Sequence, residues 1–151
     1  MDANTIKLFG SKESDEWGTP KELYDKLDKE FGFTMDVAAS DNNYKHPNYY
    51  TVDDNALFHN WGKVVFCNPP YSNIYNFLEK AWLELKKGNT DTAVFLTFAN
   101  TDTKWFHKFL YKHAELRFIQ GRIKFEQPGS NGNSAMRPSM ICVLRRTEIF
   151  K

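Results

Sequence analysis

The chain has 151 residues, 41% of them hydrophobic and 16% aromatic, which suits one globular core and a single domain. Its longest apolar runs fall far short of the roughly 20 residues a membrane helix needs, and residues 1–17 lack the basic start and apolar stretch of a secretion signal. The two cysteines and four histidines show no metal-ligand spacing, so a cytoplasmic protein with reduced cysteines, no membrane segment and no metal is expected. The net charge of +1 hides an asymmetry. Residues 1–103 hold 10 Lys+Arg against 16 Asp+Glu, whereas residues 104–151 hold 10 against 3. A basic C-terminal third suits a phosphate-binding face, and equally a solvated surface whose charges mix on folding.

The first 15 residues are polar and expected to be loosely held. Thr19-Pro20-Lys21-Glu22 signals a first helix, with Thr19 as cap, Pro20 in the first turn and Glu22 completing a capping box. Leu23, Leu27 and Phe31 supply its apolar stripe and Gly32 its end. Residues 33–38 (FTMDVA) predict a short strand with Asp36 near its end. Residues 40–62 are polar and predict mostly loop, and residues 63–67 predict a strand buried on both faces. A helix capped by Ser72 follows, with Ile74, Phe77, Leu78, Ala81, Trp82 and Leu85 at helical spacing and Gly88 closing it.

Residues 92–98 (TAVFLTF) predict a third strand, and residues 102–113 a helix with Phe106, Phe109 and Leu110 inward. Short strands are expected at 116–119 and 122–125, a flexible loop at 127–138, and a last strand at 139–144. Strands alternating with helices imply an α/β sheet, mostly parallel, with an antiparallel pair at one edge because no helix separates the last strands.

Ligands of an open α/β sheet sit at the C-terminal strand ends. Asp36, Asn68-Pro69-Pro70-Tyr71 and the loop 99–102 all lie at such ends. Two consecutive prolines fix two φ angles and remove two N–H donors. What remains is a rigid run of carbonyl acceptors beside the Asn68 side-chain oxygen. Two acceptors placed off the plane of a heteroaromatic exocyclic amine draw its nitrogen toward tetrahedral geometry and free its lone pair, and Tyr71 can stack on the ring. On a plain structural reading, Pro-Pro simply ends a strand before a helix. The asparagine before it and the aromatic after it favour chemistry.

Asn-Pro-Pro-Tyr in this setting resembles the catalytic motif of S-adenosylmethionine-dependent amino-methyltransferases. Within those, the chain is similar to the small phage-type DNA N-6-adenine methyltransferases, the phage Dam family, from about Trp17 to Leu144. The likeness rests on six motifs in order: Trp17-Gly18-Thr19-Pro20; residues 33–39; Asn55-Ala56-Leu57 followed by Trp61; Asn68-Pro69-Pro70-Tyr71-Ser72; Thr101-Asp102-Thr103 with Trp105; and Gly121-Arg122-Ile123-Lys124-Phe125.

The resemblance implies a compact Rossmann-like class I methyltransferase sheet and methyl transfer from S-adenosylmethionine to adenine in DNA. It implies that Trp17, Thr19 and Pro20 lie against the methionine end of the cofactor, and that Asp36 meets its ammonium or ribose groups. Asp54 or Asn55 lies near its adenine, and Arg122 and Phe125 near the target base or cofactor. Ala38-Ala39-Ser40 stands where the wider class has a glycine-rich loop, and no glycine occurs from 33 to 61. Only 17 residues separate Asp36 from Asp54, so fewer strands than the full seven-stranded core are expected.

No separate DNA-recognition domain is expected. Sequence reading falls to loops 40–50 and 127–138, with Asn43, Lys45, Arg122, Lys124 and Arg137 as DNA contacts. Two other readings stay open: the same site acting on a cytosine amine or a protein glutamine, and a non-catalytic DNA-binding or decoy protein.

Overall fold

The computed structural model describes residues 18–126 and 137–151. The loose hold expected of the first 15 residues, the role given to Trp17 and most of the 127–138 loop lie outside them.

Helix α1 (Lys21–Phe31) buries Tyr24 and Leu27, with Leu23 and Phe31 packed beside them. Gly32 ends it in the left-handed conformation (φ 66°), its N–H donating to Asp28 O at 2.7 Å. Strand β1 is only Met35–Asp36. Strands β2 (Val64–Cys67) and β3 (Thr92–Phe98) are flanked by α2 (Ile74–Lys87), which ends at Gly88 with φ 81°. The chain then makes a wide π-helical turn, Phe106–Leu110, and forms β4 (Glu115–Phe118), β5 (Ser139–Arg145) and a terminal turn of helix, α3 (Arg146–Ile149).

The five strands lie in the order β1-β2-β3-β5-β4. β1, β2 and β3 pair in parallel, while β5 is antiparallel to both β3 and β4. Four strands therefore point one way and β5 alone is reversed. An antiparallel edge pair is present as expected, but β4, not residues 122–125, is the partner of β5, and β5 is inserted between β3 and β4. Residues 48–50 run beside β1 through Asp36 N–H to Asn48 O and Tyr50 N–H to Asp36 O, both 3.0 Å. The polar 40–62 stretch thus contributes an edge ribbon as well as loop.

Two cores sandwich the sheet. One packs α2 and the 106–110 turn against Val65, Cys67, Ala93 and Phe95. The other packs α1 against Phe66, Val94, Leu96, Ile141 and Val143. The sheet sends alternate side chains to each. No helix among the described residues is long and apolar enough to cross a membrane.

Four local expectations are corrected. Thr19 does not cap α1: Pro20 precedes it with no side-chain cap, and the Lys21 N–H reaches Glu126 Oε2 at 3.3 Å. Ser72 lies inside a 3-10 turn, Tyr71–Asn73, and Asn73 precedes α2. Residues 122–125 are not a sheet strand; the chain instead bridges Gly18 to Glu126 with backbone bonds of 2.7 and 2.8 Å. The 102–113 helix shrinks to residues 104–110, the last five in the π-helical turn whose closing bond is Tyr111 N–H to Phe106 O (2.8 Å), and Phe106, Phe109 and Leu110 are buried as expected.

Glu84 on α2 is fully buried. It accepts from Trp61 N–H (2.5 Å), Asn89 Nδ2 (3.3 Å) and Lys80 Nζ (3.3 Å). Trp61 in turn donates Nε1–H to Ala56 O at 3.0 Å. Removing one partner of a buried, hydrogen-bonded charge strands the others. Glu84→Ala is expected to cost about 3–5 kcal/mol of unfolding free energy, read as a lower denaturation midpoint in urea.

Candidate active site

The C-terminal ends of β1, β2 and β3 share one rim, where Asp36, Asn68 and Asn100 stand. A cavity of about 800 Å³ opens between the first two, a size suited to a small-molecule site. Because β1 and β2 are joined without an α-helix, the cavity wall on that side is built by the 37–57 connection.

Asp36 lies in that wall and is only 3% exposed. Burial pushes its carboxyl up to about 6, while the Lys45 and Ala38 N–H groups (3.1 and 3.4 Å) and the nearby charges of Lys45 and His46 oppose the rise. Ala38 lines the cavity beside it.

Asn68 follows β2, and its Nδ2 donates to the buried Thr19 hydroxyl at 3.1 Å, which fixes the amide plane. The reason Thr19 does not cap its helix is therefore visible: its hydroxyl is committed to Asn68. Gly18, beside Thr19, permits the close pairing with Glu126, since a Cβ there would sit 2.7 Å from Glu126 O. Pro69 is buried and Pro70 lines the cavity. The Pro70 carbonyl accepts from Asn73 N–H (2.9 Å), which leaves the Pro69 carbonyl as the backbone acceptor next to Asn68.

Tyr71 turns toward β3. Its ring stands edge-on to Phe98 (5.0 Å between centroids) and Trp105 (6.2 Å), and its hydroxyl accepts from Asn100 Nδ2. The Arg137 guanidinium lies 5.5 Å from the Tyr71 centroid and 5.6 Å from that of Phe98. Partial burial raises the phenol above its ordinary value against the pull of Arg137 and Asn100.

Asn55, Ala56 and Leu57 also line the cavity, with Asn55 in the left-handed conformation (φ 56°). Asp54 points elsewhere: its Oδ2 accepts from Thr51 N–H (2.8 Å) and Oγ1 (3.1 Å). Of the two neighbours, Asn55 is thus the one on the cavity.

The remaining expected residues divide. Asn43 and Lys45 both line the cavity; Asn43 Oδ1 accepts from Ser40 N–H (2.8 Å), and Lys45 Nζ pairs with Glu126 Oε1 (2.7 Å). Arg122 and Lys124 are exposed and lie off the cavity wall, and Phe125 is buried in the α1 core. Sequence reasoning missed Glu126, Glu84 and the Asn100–Tyr71 bond. Glu126 was findable in part, being one of three acids in the basic C-terminal third.

The sequence model of the DNA N-6-adenine-methyltransferase (Dam) family matches residues 8–149. The chain belongs to that family. It is similar to the DNA N-6-adenine-methyltransferase of Haemophilus phage HP1 (strain HP1c1), with 30% identity over 139 residues covering 87% of this chain and 80% of the relative. It is similar also to that of Escherichia phage T1, with 32% identity over 119 residues covering 77% of this chain. The chain's match spans 49%, about half, of the T1 protein. Among solved structures, one described as a candidate RNA methyltransferase from Pyrococcus horikoshii aligns with a TM-score of 0.47 at 17% identity, over 74% of this chain and 61% of that one. Of Asn68-Pro69-Pro70-Tyr71, Asn68 and Pro70 line the cavity, while Pro69 and Tyr71 lie off it.

Proposed function

We propose that the chain methylates the exocyclic amine of adenine in DNA, taking the methyl from S-adenosylmethionine held in the 800 Å³ cavity. The observation that carries the reading is Asn68. Its amide is held by Thr19 in the lining of a cavity that also offers, at Asn55, Ala56 and Leu57, an amide and apolar surface to a flat heterocycle. Membership of the Dam family and the named relatives support the same base and the same nucleic acid.

The cavity's donor set fits this cofactor. Asp36 offers a carboxylate for its ammonium or ribose groups, and Gly18, Thr19 and Ala38 belong to the same wall, while Pro20 lies off it. Bound S-adenosylmethionine supplies an electrophilic methyl group. The chain's own residues then work on the amine. The Asn68 side-chain oxygen and the Pro69 carbonyl accept its two hydrogens, hold it in place and stabilise the positive charge that develops on nitrogen. Tyr71, steadied by Asn100, Phe98, Trp105 and Arg137, packs against the base. A base paired in a duplex has to leave the stack to reach this rim, at a cost of about a few kcal/mol that stacking offsets. DNA contacts come from the rim loops and from Arg122, Lys124 and Arg137.

Labelled S-adenosylmethionine and unmethylated duplex DNA, followed by nucleoside analysis, test the reading. N6-methyladenine is the expected product. Methyl on cytosine would correct the base, and transfer to protein but not DNA would move the substrate to a glutamine amide. No transfer and no saturable cofactor binding would leave a decoy.

A further inference from the structure

Lys45 is the one cation among the described residues that line the cavity, whose other charged members are Asp36, Asp41 and Asp53. Asp36 and Lys45 adjoin there, the Lys45 N–H donating to Asp36 Oδ2 at 3.1 Å. Asn55, Ala56 and Leu57 add an uncharged stretch to the same lining. Lys45 is unusual for a lysine in a polar surface loop. Its side chain is only 12% exposed, and its ammonium is 2.7 Å from Glu126 Oε1, whose own side chain is 49% exposed. A lysine is rarely drawn inward unless its charge has a partner.

Resting on the cofactor reading above, we propose that Lys45 binds the carboxylate of the methionine moiety while Asp36 takes its ammonium, so that the pair recognises an α-amino-acid zwitterion. Glu126 holds the lysine in place until the ligand's carboxylate replaces its own. Thr19 belongs to the same lining, and the heterocycle then lies toward Asn55.

Four features make the exchange cheap. Glu126 is anchored independently of Lys45, through its backbone bonds to Gly18 and through Oε2 to Lys21 N–H, so releasing Lys45 leaves the segment tied. Its carboxylate faces solvent and regains hydration when freed. A half-exposed ion pair is weak to begin with. Ligand and glutamate present the same group to the lysine, so its ammonium exchanges one carboxylate for another. The assignment turns Lys45 from a DNA contact into a determinant of cofactor specificity.

Calorimetry on the full chain with two ligands, S-adenosylmethionine and its decarboxylated analogue, tests this. Lys45→Met is expected to weaken S-adenosylmethionine about 10- to 100-fold, the loss of a hydrogen bond to a charged group. Binding of the decarboxylated analogue stays within about twofold and shows that the variant is folded. Lys45→Arg restores most of the loss, and Glu126→Gln leaves S-adenosylmethionine equal or a few-fold tighter, about the worth of an exposed pair. Equal weakening of both ligands by Lys45→Met would overturn the assignment, as would weaker DNA binding with unchanged cofactor affinity. Failure of the wild-type chain to bind either ligand sinks the cofactor reading itself, and this inference with it.

Discussion

Asn68→Ala is expected to lower kcat for DNA methylation by about 10²–10³-fold, the usual cost of removing one preorganised hydrogen-bonding group from a charge-developing transition state. The affinity for S-adenosylmethionine should change no more than a few-fold, about 1 kcal/mol or less. The separation follows from where the residue sits. Asn68 lines the cavity, bonded to Thr19 and next to Pro69 in the chain, while the proposed cofactor contacts at Asp36 and Asn55 come from other segments. On the proposed mechanism the side chain acts on an amine that becomes positive only as the methyl arrives, so its loss should be felt in turnover and not in cofactor binding. Asn68→Asp is the informative companion. A carboxylate keeps the acceptor toward the amine, and the Thr19 hydroxyl can rotate to donate to it where it now accepts. Single-turnover rates at saturating cofactor and DNA should order as wild type, then Asp, then Ala. An alanine variant with wild-type turnover would remove Asn68 from the chemistry.

Much of the frame was legible because it depends on short-range signals. The apolar run before Asn68 and the TAVFLTF segment read directly as buried strands, and Gly32 and Gly88 mark helix ends through the positive φ that each adopts. The rim followed from topology, since parallel strands bring their C-terminal ends together. Less visible was whatever depends on partners far along the chain. Thr19 looks like a helix cap within a four-residue window, yet its hydroxyl meets a side chain 49 positions away. Lys45 looks like a surface lysine until Glu126, 81 positions on, draws it inward.

The charge asymmetry had a similar fate. Arg117 pairs with Glu30 and Glu115, and Arg145 with Glu115, so part of the basic third is spent inside the fold while Lys104, Lys108, Lys112, Arg122 and Lys124 stay exposed. The choice between Asp54 and Asn55 could not come from the motif either. It depends on the left-handed turn at Asn55, which sends adjacent side chains different ways.

Cofactor affinity is expected to be flat above about pH 7 and to fall as pH drops through about 6, approaching tenfold for each further pH step of one, with Asp36 as the cause. The ligand-free carboxyl is raised from 3.8 to about 6 by burial. An ammonium or hydroxyl ligand prefers the ionised form, so below that value binding must first expel a proton. Asp36→Asn should remove the pH dependence in this range and lower the plateau. The same burial acts with the opposite sign on stability. A carboxyl whose folded value lies above its unfolded one binds protons more tightly in the folded state. Its contribution is full below 3.8 and is lost as pH rises through about 6. Above that, the ligand-free protein carries an ionised, buried Asp36 at a cost of about 3 kcal/mol. Asp36→Asn should therefore stabilise the ligand-free chain in urea at pH 7.5 by up to about 3 kcal/mol, less what an amide loses by facing the Lys45 or Ala38 N–H. Greater stability with weaker cofactor binding is what a residue kept for its ligand should show. A variant that loses both would make Asp36 a structural anchor of the loop around Lys45 instead.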